Sequence, residues 1–130
     1  MLNSLAEIHC GEFEGQSIEH IRARYPELWA RNEAQSDENF FWPGGETYHT
    51  FRRRVLRAIR AIAARHLEQT VLVFTHAGVV NQVLGAIAGQ SAARWENYRP
   101  HNTGLTIIEW SDGGGRVVCF NDRDHLRTAA

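Results

Sequence analysis

Residues 70–76 read TVLVFTH, and they constrain the fold more than any other stretch. The run VLVF is short, β-branched and aromatic, and no polar residue interrupts it. That is the pattern of a strand covered on both faces, as in a parallel sheet. His76 follows at its carboxyl end, then Ala77 and Gly78. From Gly78 onward Val79, Val80, Val83, Leu84 and Ile87 keep helical spacing, and Gly89 closes the segment. A strand entering a helix through two small residues is the βα unit of an open α/β sheet, whose ligands sit outside the carboxyl ends of the strands. His76 then faces a place suited to an anion, beside the free N–H groups and positive dipole end of the helix. A histidine that merely hydrogen-bonds at a strand end is the plain alternative.

The rest of the chain supplies partners for this unit. Residues 1–15 are a loop or short turn carrying GEFEG. Ser17 can cap a helix with Ile18, Ile21, Tyr25, Leu28 and Trp29 on one side, which Pro26 divides in two. Residues 32–45 are polar and irregular and end in WPGG; Trp42 there suggests a lid, as long loops in compact domains often are. Thr47 can cap a long helix with a stripe of Phe51, Val55, Ala58, Ile59 and Ile62. Arg52, Arg53, Arg54, Arg57 and Arg60 crowd its other sides and read as a solvated face. A short helical piece is expected near 91–97. GLTIIEW and RVVCFN around SDGGG make a hairpin. The expected class is α/β: a three-layer sandwich with a mixed, mainly parallel sheet flanked by helices, in one domain over residues 1–130.

Composition removes several function classes. At 130 residues with 43% apolar content the chain can bury a core. Its formal charge of −1 offers no basic field for nucleic acid. All 14 basic residues are Arg, the side chain best shaped for bidentate contacts to phosphate or carboxylate. Cys10 and Cys119 lie far apart, which favours a reduced, cytoplasmic protein. The seven histidines show no ligand spacing, so neither metal nor cofactor is expected. No apolar run reaches the length of a membrane span, and the N-terminus lacks a signal-peptide pattern.

Five motifs in fixed order carry a sharper expectation: LAEIHCGEFEG, YPELW, PGGET before the long helix, VLVFTHAGVV and HNTGLTIIEW. Together they resemble the histidine phosphatase superfamily, the phosphoglycerate-mutase-like group, over about residues 4–126. The resemblance implies phosphoryl transfer on a small phosphorylated metabolite. His76 matches the histidine that binds the transferring group, with Ala77 and Gly78 lending backbone. Glu7 matches the acid that protonates the leaving oxygen, and Asn102 the asparagine that orients the site or serves as a turn residue. Such a site is physically sensible: fixed donors stabilise the charge on the phosphoryl oxygens, and a leaving alkoxide needs a proton. Glu12 and Glu14 read as solvated loop carboxylates, with a place at the pocket mouth as the alternative; Glu46 is expected near the positive end of the long helix, and His101 is expected to be exposed. Cys10 has no arginine loop after it and is not a nucleophile.

One family element is missing. The family's nucleophilic histidine lies in an Arg-His-Gly triplet on the first strand, and this chain contains none: Arg65-His66 precedes Leu67, and His9-Cys10-Gly11 has the wrong first residue. The domain is therefore expected to be incomplete, missing its first strands, through a late start, loss of catalysis, or a gap filled by a second copy. The last leaves a homodimer or swapped assembly open. The expected function is a metal-independent phosphomonoesterase. The alternatives are a non-catalytic phosphate-binding module and a sugar-phosphate mutase; few basic residues near 32–45 argue against a mutase.

Overall fold

The computed structural model describes residues 3–127. Short 3-10 turns at Asn3–Leu5 and Gly11–Phe13 lead into α1 (Ile18–Arg24) and α2 (Pro26–Glu33). The long α3 (Tyr48–Arg65) and α4 (Ala77–Ile87) follow, then β1 (Leu105–Ser111), β2 (Gly114–Asp122) and a 3-10 turn at Asp124–Leu126. The chain is thus of α/β class.

Local chemistry sets the helix boundaries. The Ser17 hydroxyl accepts the His20 N–H at 3.2 Å, and the Thr47 hydroxyl accepts the Thr50 N–H at 3.0 Å, each satisfying a donor the first turn leaves free. Pro26 stands at the first position of α2, where its missing N–H costs nothing. Gly89, at φ +68°, ends α4, and the Gln90 N–H reaches back to the Gly85 carbonyl at 2.8 Å.

Two apolar clusters organise the packing. In one, Phe51, Val55 and Ala58 of α3 meet Val79 and Val83 of α4, with Leu5 from the N-terminal turn. Ile108 and Trp110 of β1 pack against it, because alternate β1 residues face inward. The other cluster is aromatic: Phe13, Phe40, Trp42 and Tyr48, joined by Ile21 and Ala92. Trp42 is only 7% exposed and stacks among Phe13, Trp29 and Phe40. Residues 32–45 are accordingly anchored in the core by Phe40 and Trp42, so Trp42 is a core residue rather than part of a lid.

Three other expectations change. Residues 71–75 form no ladder; among the described residues the sheet is the antiparallel pair β1–β2 rather than a mainly parallel one. Leu72 is 69% and Phe74 88% exposed. The run has strand composition, but no neighbouring strand pairs with it. Residues 91–97 are turns, because buried side-chain amides of α4 take up their carbonyls: Asn81 those of Arg94 and Trp95, Gln82 that of Ala92. Arg52 and Arg54 leave the solvated face and are half-buried. Arg52 donates to Gln82 Oε1 at 2.7 Å, to the Gln90 carbonyl and to the Ser91 carbonyl at 3.1 Å. Burial pushes its pKa down, against the opposing pull of Glu38.

Candidate functional site

Glu7 lies in the irregular segment before Gly11, so tertiary bonds must hold it. Arg54 of α3 supplies them. Its Nη1 donates to the carbonyls of Ser4 (3.0 Å) and Ala6 (2.9 Å), and Nη2 to that of Glu7 (2.9 Å). The same guanidinium grips Glu46 from Nε (3.0 Å) and Nη2 (2.5 Å). Glu46 in turn accepts the His9 N–H at 3.0 Å, and its own N–H donates to the His9 carbonyl at 2.9 Å. The role of Glu46 is therefore to fasten the Glu7 segment to α3; Thr47 alone caps the helix. Sequence reading missed Arg54, and the available signal was an acid just before the helix and an arginine on its second turn.

The held Glu7 reaches the start of α4. Its Oε2 accepts the Gly78 N–H at 2.9 Å, and Oε1 accepts the Ile8 N–H at 2.9 Å. Gly78 and Glu7 stand 71 positions apart. A Cβ at residue 78 would overlap the Glu7 carboxylate, so this contact requires glycine. The Thr75 hydroxyl donates to the Leu5 carbonyl at 2.8 Å, a second tie between the two segments. The Gly78 N–H expected to hold an anion thus holds a carboxylate of the chain itself, as a helix N-terminus favours.

Glu7, Ala77 and Gly78 line one cavity of about 320 Å³, together with Tyr48, Phe51, Trp95, Tyr98 and Arg99. Burial pushes the Tyr48 pKa up, and its hydroxyl donates to Asn32 at 2.5 Å. His76 and Asn102 are not lining residues. His76 is the N-cap residue of α4: its carbonyl accepts the Val80 N–H at 3.2 Å, while its imidazole is exposed and caps nothing. Asn102 is exposed in the turn before β1. The neighbouring His101 is exposed as well, and its ring nitrogen lies 2.8 Å from Asn121 Nδ2. Of the five expected site residues, the cavity gathers three.

Other groups sort as their surroundings dictate. Burial, then the carboxylates Glu14, Glu7 and Glu46, push the Cys10 thiol up to about 11, which keeps it protonated and unreactive. Glu14 accepts the Cys10 N–H at 2.6 Å, and neither it nor Glu12 lines the cavity. A larger depression of about 550 Å³ between Asn121 and Arg127 is built from one short stretch and holds none of the motif residues. Among the described residues no three His, Cys, Asp or Glu side chains converge as a metal site, and no helix is long and apolar enough to cross a membrane.

Over 122 residues the chain is 23% identical to phosphoserine phosphatase 1 of Hydrogenobacter thermophilus, covering 94% of this chain and 57% of that protein. It is 24% identical, also over 122 residues, to the metal-independent phosphoserine phosphatase of Arabidopsis thaliana, covering 94% and 50%. The chain therefore spans little more than half the length of these relatives. Among solved structures, YhfR of Bacillus stearothermophilus superposes with a TM-score of 0.81 at 26% identity, over 97% of this chain and 62% of that one. A phosphoserine-bound variant of Entamoeba histolytica phosphoserine phosphatase gives 0.82 at 16% identity, over 96% and 62%. These likenesses give the fold as that of the phosphoglycerate-mutase-like phosphatases. The model of the histidine phosphatase superfamily (branch 1) matches residues 1–123, and the chain belongs to that superfamily.

Proposed function

We propose that the cavity beside α4 is the phosphoryl site of a phosphomonoesterase acting on a small phosphorylated metabolite. The observation that carries this reading is the 2.9 Å bond between the Gly78 N–H and Glu7 Oε2, which joins an acid and an anion-binding helix start from opposite parts of the sequence. In the reaction a phosphate ester enters the cavity and takes over the N–H groups of Ala77 and Gly78, with His76 donating from the same helix start. These fixed donors offset the charge that spreads over the phosphoryl oxygens. As the P–O bond to the alcohol breaks, Glu7 hands its proton to the leaving alkoxide, and a water molecule forms the new P–O bond, so that the phosphoryl group leaves as inorganic phosphate. The names of the two curated relatives support a phosphatase, and one of them a metal-independent one.

A second reading, a phosphate-binding module without turnover, is favoured by one sequence fact: no Arg-His-Gly triplet occurs in residues 1–130. Hydrolysis of p-nitrophenyl phosphate by the chain, alongside His76→Ala and Glu7→Ala, separates the two. Turnover lost in both variants supports the esterase. Phosphate binding without turnover supports the module. Absence of both binding and turnover in the folded chain refutes the site.

A further inference from the structure

We infer that Asn81 is a positioning residue of this site: it sets the wall that meets the alcohol part of a phosphate ester at a fixed distance from the helix start that meets the phosphate. The inference rests on the proposed phosphoryl site and adds a residue to it.

Asn81 lies on α4 one turn beyond Gly78, is 2% exposed and lines the cavity. Residues one turn apart share a helix face, about 5 Å apart along the axis. Both ends of the Asn81 amide go to one segment. Its Nδ2 donates to the carbonyls of Arg94 (3.2 Å) and Trp95 (2.5 Å), and its Oδ1 accepts the Tyr98 N–H (3.2 Å). That segment has no helix or strand of its own to order it, so these bonds set its place relative to α4. It supplies Trp95, Tyr98 and Pro100 to the cavity, all three half-buried.

The rings of this wall are held as well. Trp95 Nε1 donates to the Asn32 carbonyl at 3.2 Å, and the hydroxyl of Tyr48, another lining residue, donates to Asn32 Oδ1 at 2.5 Å. Asn32 is itself 5% exposed. The Tyr98 ring meets Phe120 edge-on, with centroids 5.7 Å apart. An apolar side chain at residue 81 would hold a turn against a helix without desolvating an amide. What the amide adds is direction, because a fully satisfied buried polar group admits one arrangement. Direction matters at a site, where a misplacement of about 1 Å can cost about a hundredfold in rate. Inorganic phosphate needs only the helix start, whereas an ester extends to the wall, so two ligands separate the two parts.

Calorimetric titration with inorganic phosphate and with phenyl phosphate tests the assignment on the wild type, Asn81→Ala and Asn81→Gln, in a buffer alkaline enough that both ligands are dianions. The wild type should prefer phenyl phosphate by about tenfold, the effect of burying part of one ring against the wall. The preference should fall to about twofold or less in Asn81→Ala, which frees the wall, and to an intermediate value in Asn81→Gln, which carries the amide on a longer arm. Affinity for inorganic phosphate should stay within about twofold in both variants. The Tyr98 N–H should exchange faster in Asn81→Ala. No preference in the wild type, a preference that survives both substitutions, or an equal loss of both ligands, as a merely structural role would give, would overturn the role of Asn81 while leaving the phosphoryl site standing. Should Asn81→Ala fail to fold, Asn81→Gln decides by the same criterion. Failure of inorganic phosphate to bind the wild type would overturn the site and the inference together.

Discussion

Replacing Arg54 by Met should both destabilise the chain and release Glu7 from α4. The guanidinium makes hydrogen bonds to three backbone carbonyls of residues 4–7 and two to Glu46, with Arg54 25% and Glu46 16% exposed at the side chain. Breaking a buried pair costs about 3–5 kcal/mol, because the partner charge is left unpaired. Partial exposure and fraying of residues 3–7, which rehydrates their carbonyls, place this case at the low end, about 3 kcal/mol. Urea unfolding gives the stability change. A cycle with Glu46→Gln isolates the pair, expected to couple by about 1–2 kcal/mol. Amide hydrogen exchange supplies the local readout: the Gly78 and Ile8 N–H groups, both bonded to the Glu7 carboxylate, should exchange faster, while amides in the middle of α3 change only with global stability. A loss below about 0.5 kcal/mol, the scale of an ordinary surface substitution, or unchanged protection at Gly78, would refute the assignment of Arg54 as the fastener of this segment.

Three further outcomes follow from contacts elsewhere in the chain. Gly78→Ala should expel the Glu7 carboxylate from the start of α4, seen as faster exchange of the Ile8 N–H, even though alanine favours helix by about 1 kcal/mol; amide hydrogen exchange beside a circular-dichroism melt separates the two effects. Phe74→Lys should leave stability within about 0.5 kcal/mol in urea unfolding, since the ring is 88% exposed. Glu38 is held ionised chiefly by the Ser91 hydroxyl at 2.7 Å and then by the Ala92 N–H at 2.9 Å, so its carboxyl lies below the usual range. A depressed carboxyl stabilises the fold above its unfolded pKa, and that contribution is lost as pH falls through the folded value. The stability gap between wild type and Glu38→Gln should therefore shrink between about pH 6 and about pH 3 in urea titrations.

Much of this was legible in the sequence where the cause is local. Ser17, Pro26, Thr47 and Gly89 mark helix ends through bonds spanning a few residues, and the Asp112-Gly113 turn joins two β-rich runs in the expected hairpin. The spaced motifs identify the superfamily because five of them agree in order. What was not legible depends on distant partners. VLVF has the composition of a buried strand, but composition cannot say whether a neighbour is present to pair with it. Residues 91–97 carry no sign that Asn81 and Gln82 will hold them as turns. The five arginines of α3 look equivalent along the helix, yet Arg52 and Arg54 bond to carbonyls 38 to 50 positions away. Trp42 lies in a polar segment and is core, because Phe13, Phe40 and Trp29 surround it. At the site the motifs name Glu7 and Gly78, whose contact the fold makes, whereas Arg99 enters the cavity only through the loop that Asn81 holds.

The central claim is that the start of α4 beside Glu7 receives a phosphate, and NMR titration of the 15N-labelled chain with inorganic phosphate tests it most directly. Saturable shifts concentrated at the amides of Ala77, Gly78 and Ile8 are the predicted result. Phosphate shifts scattered over exposed arginines, with Ala77 and Gly78 unmoved, would contradict it.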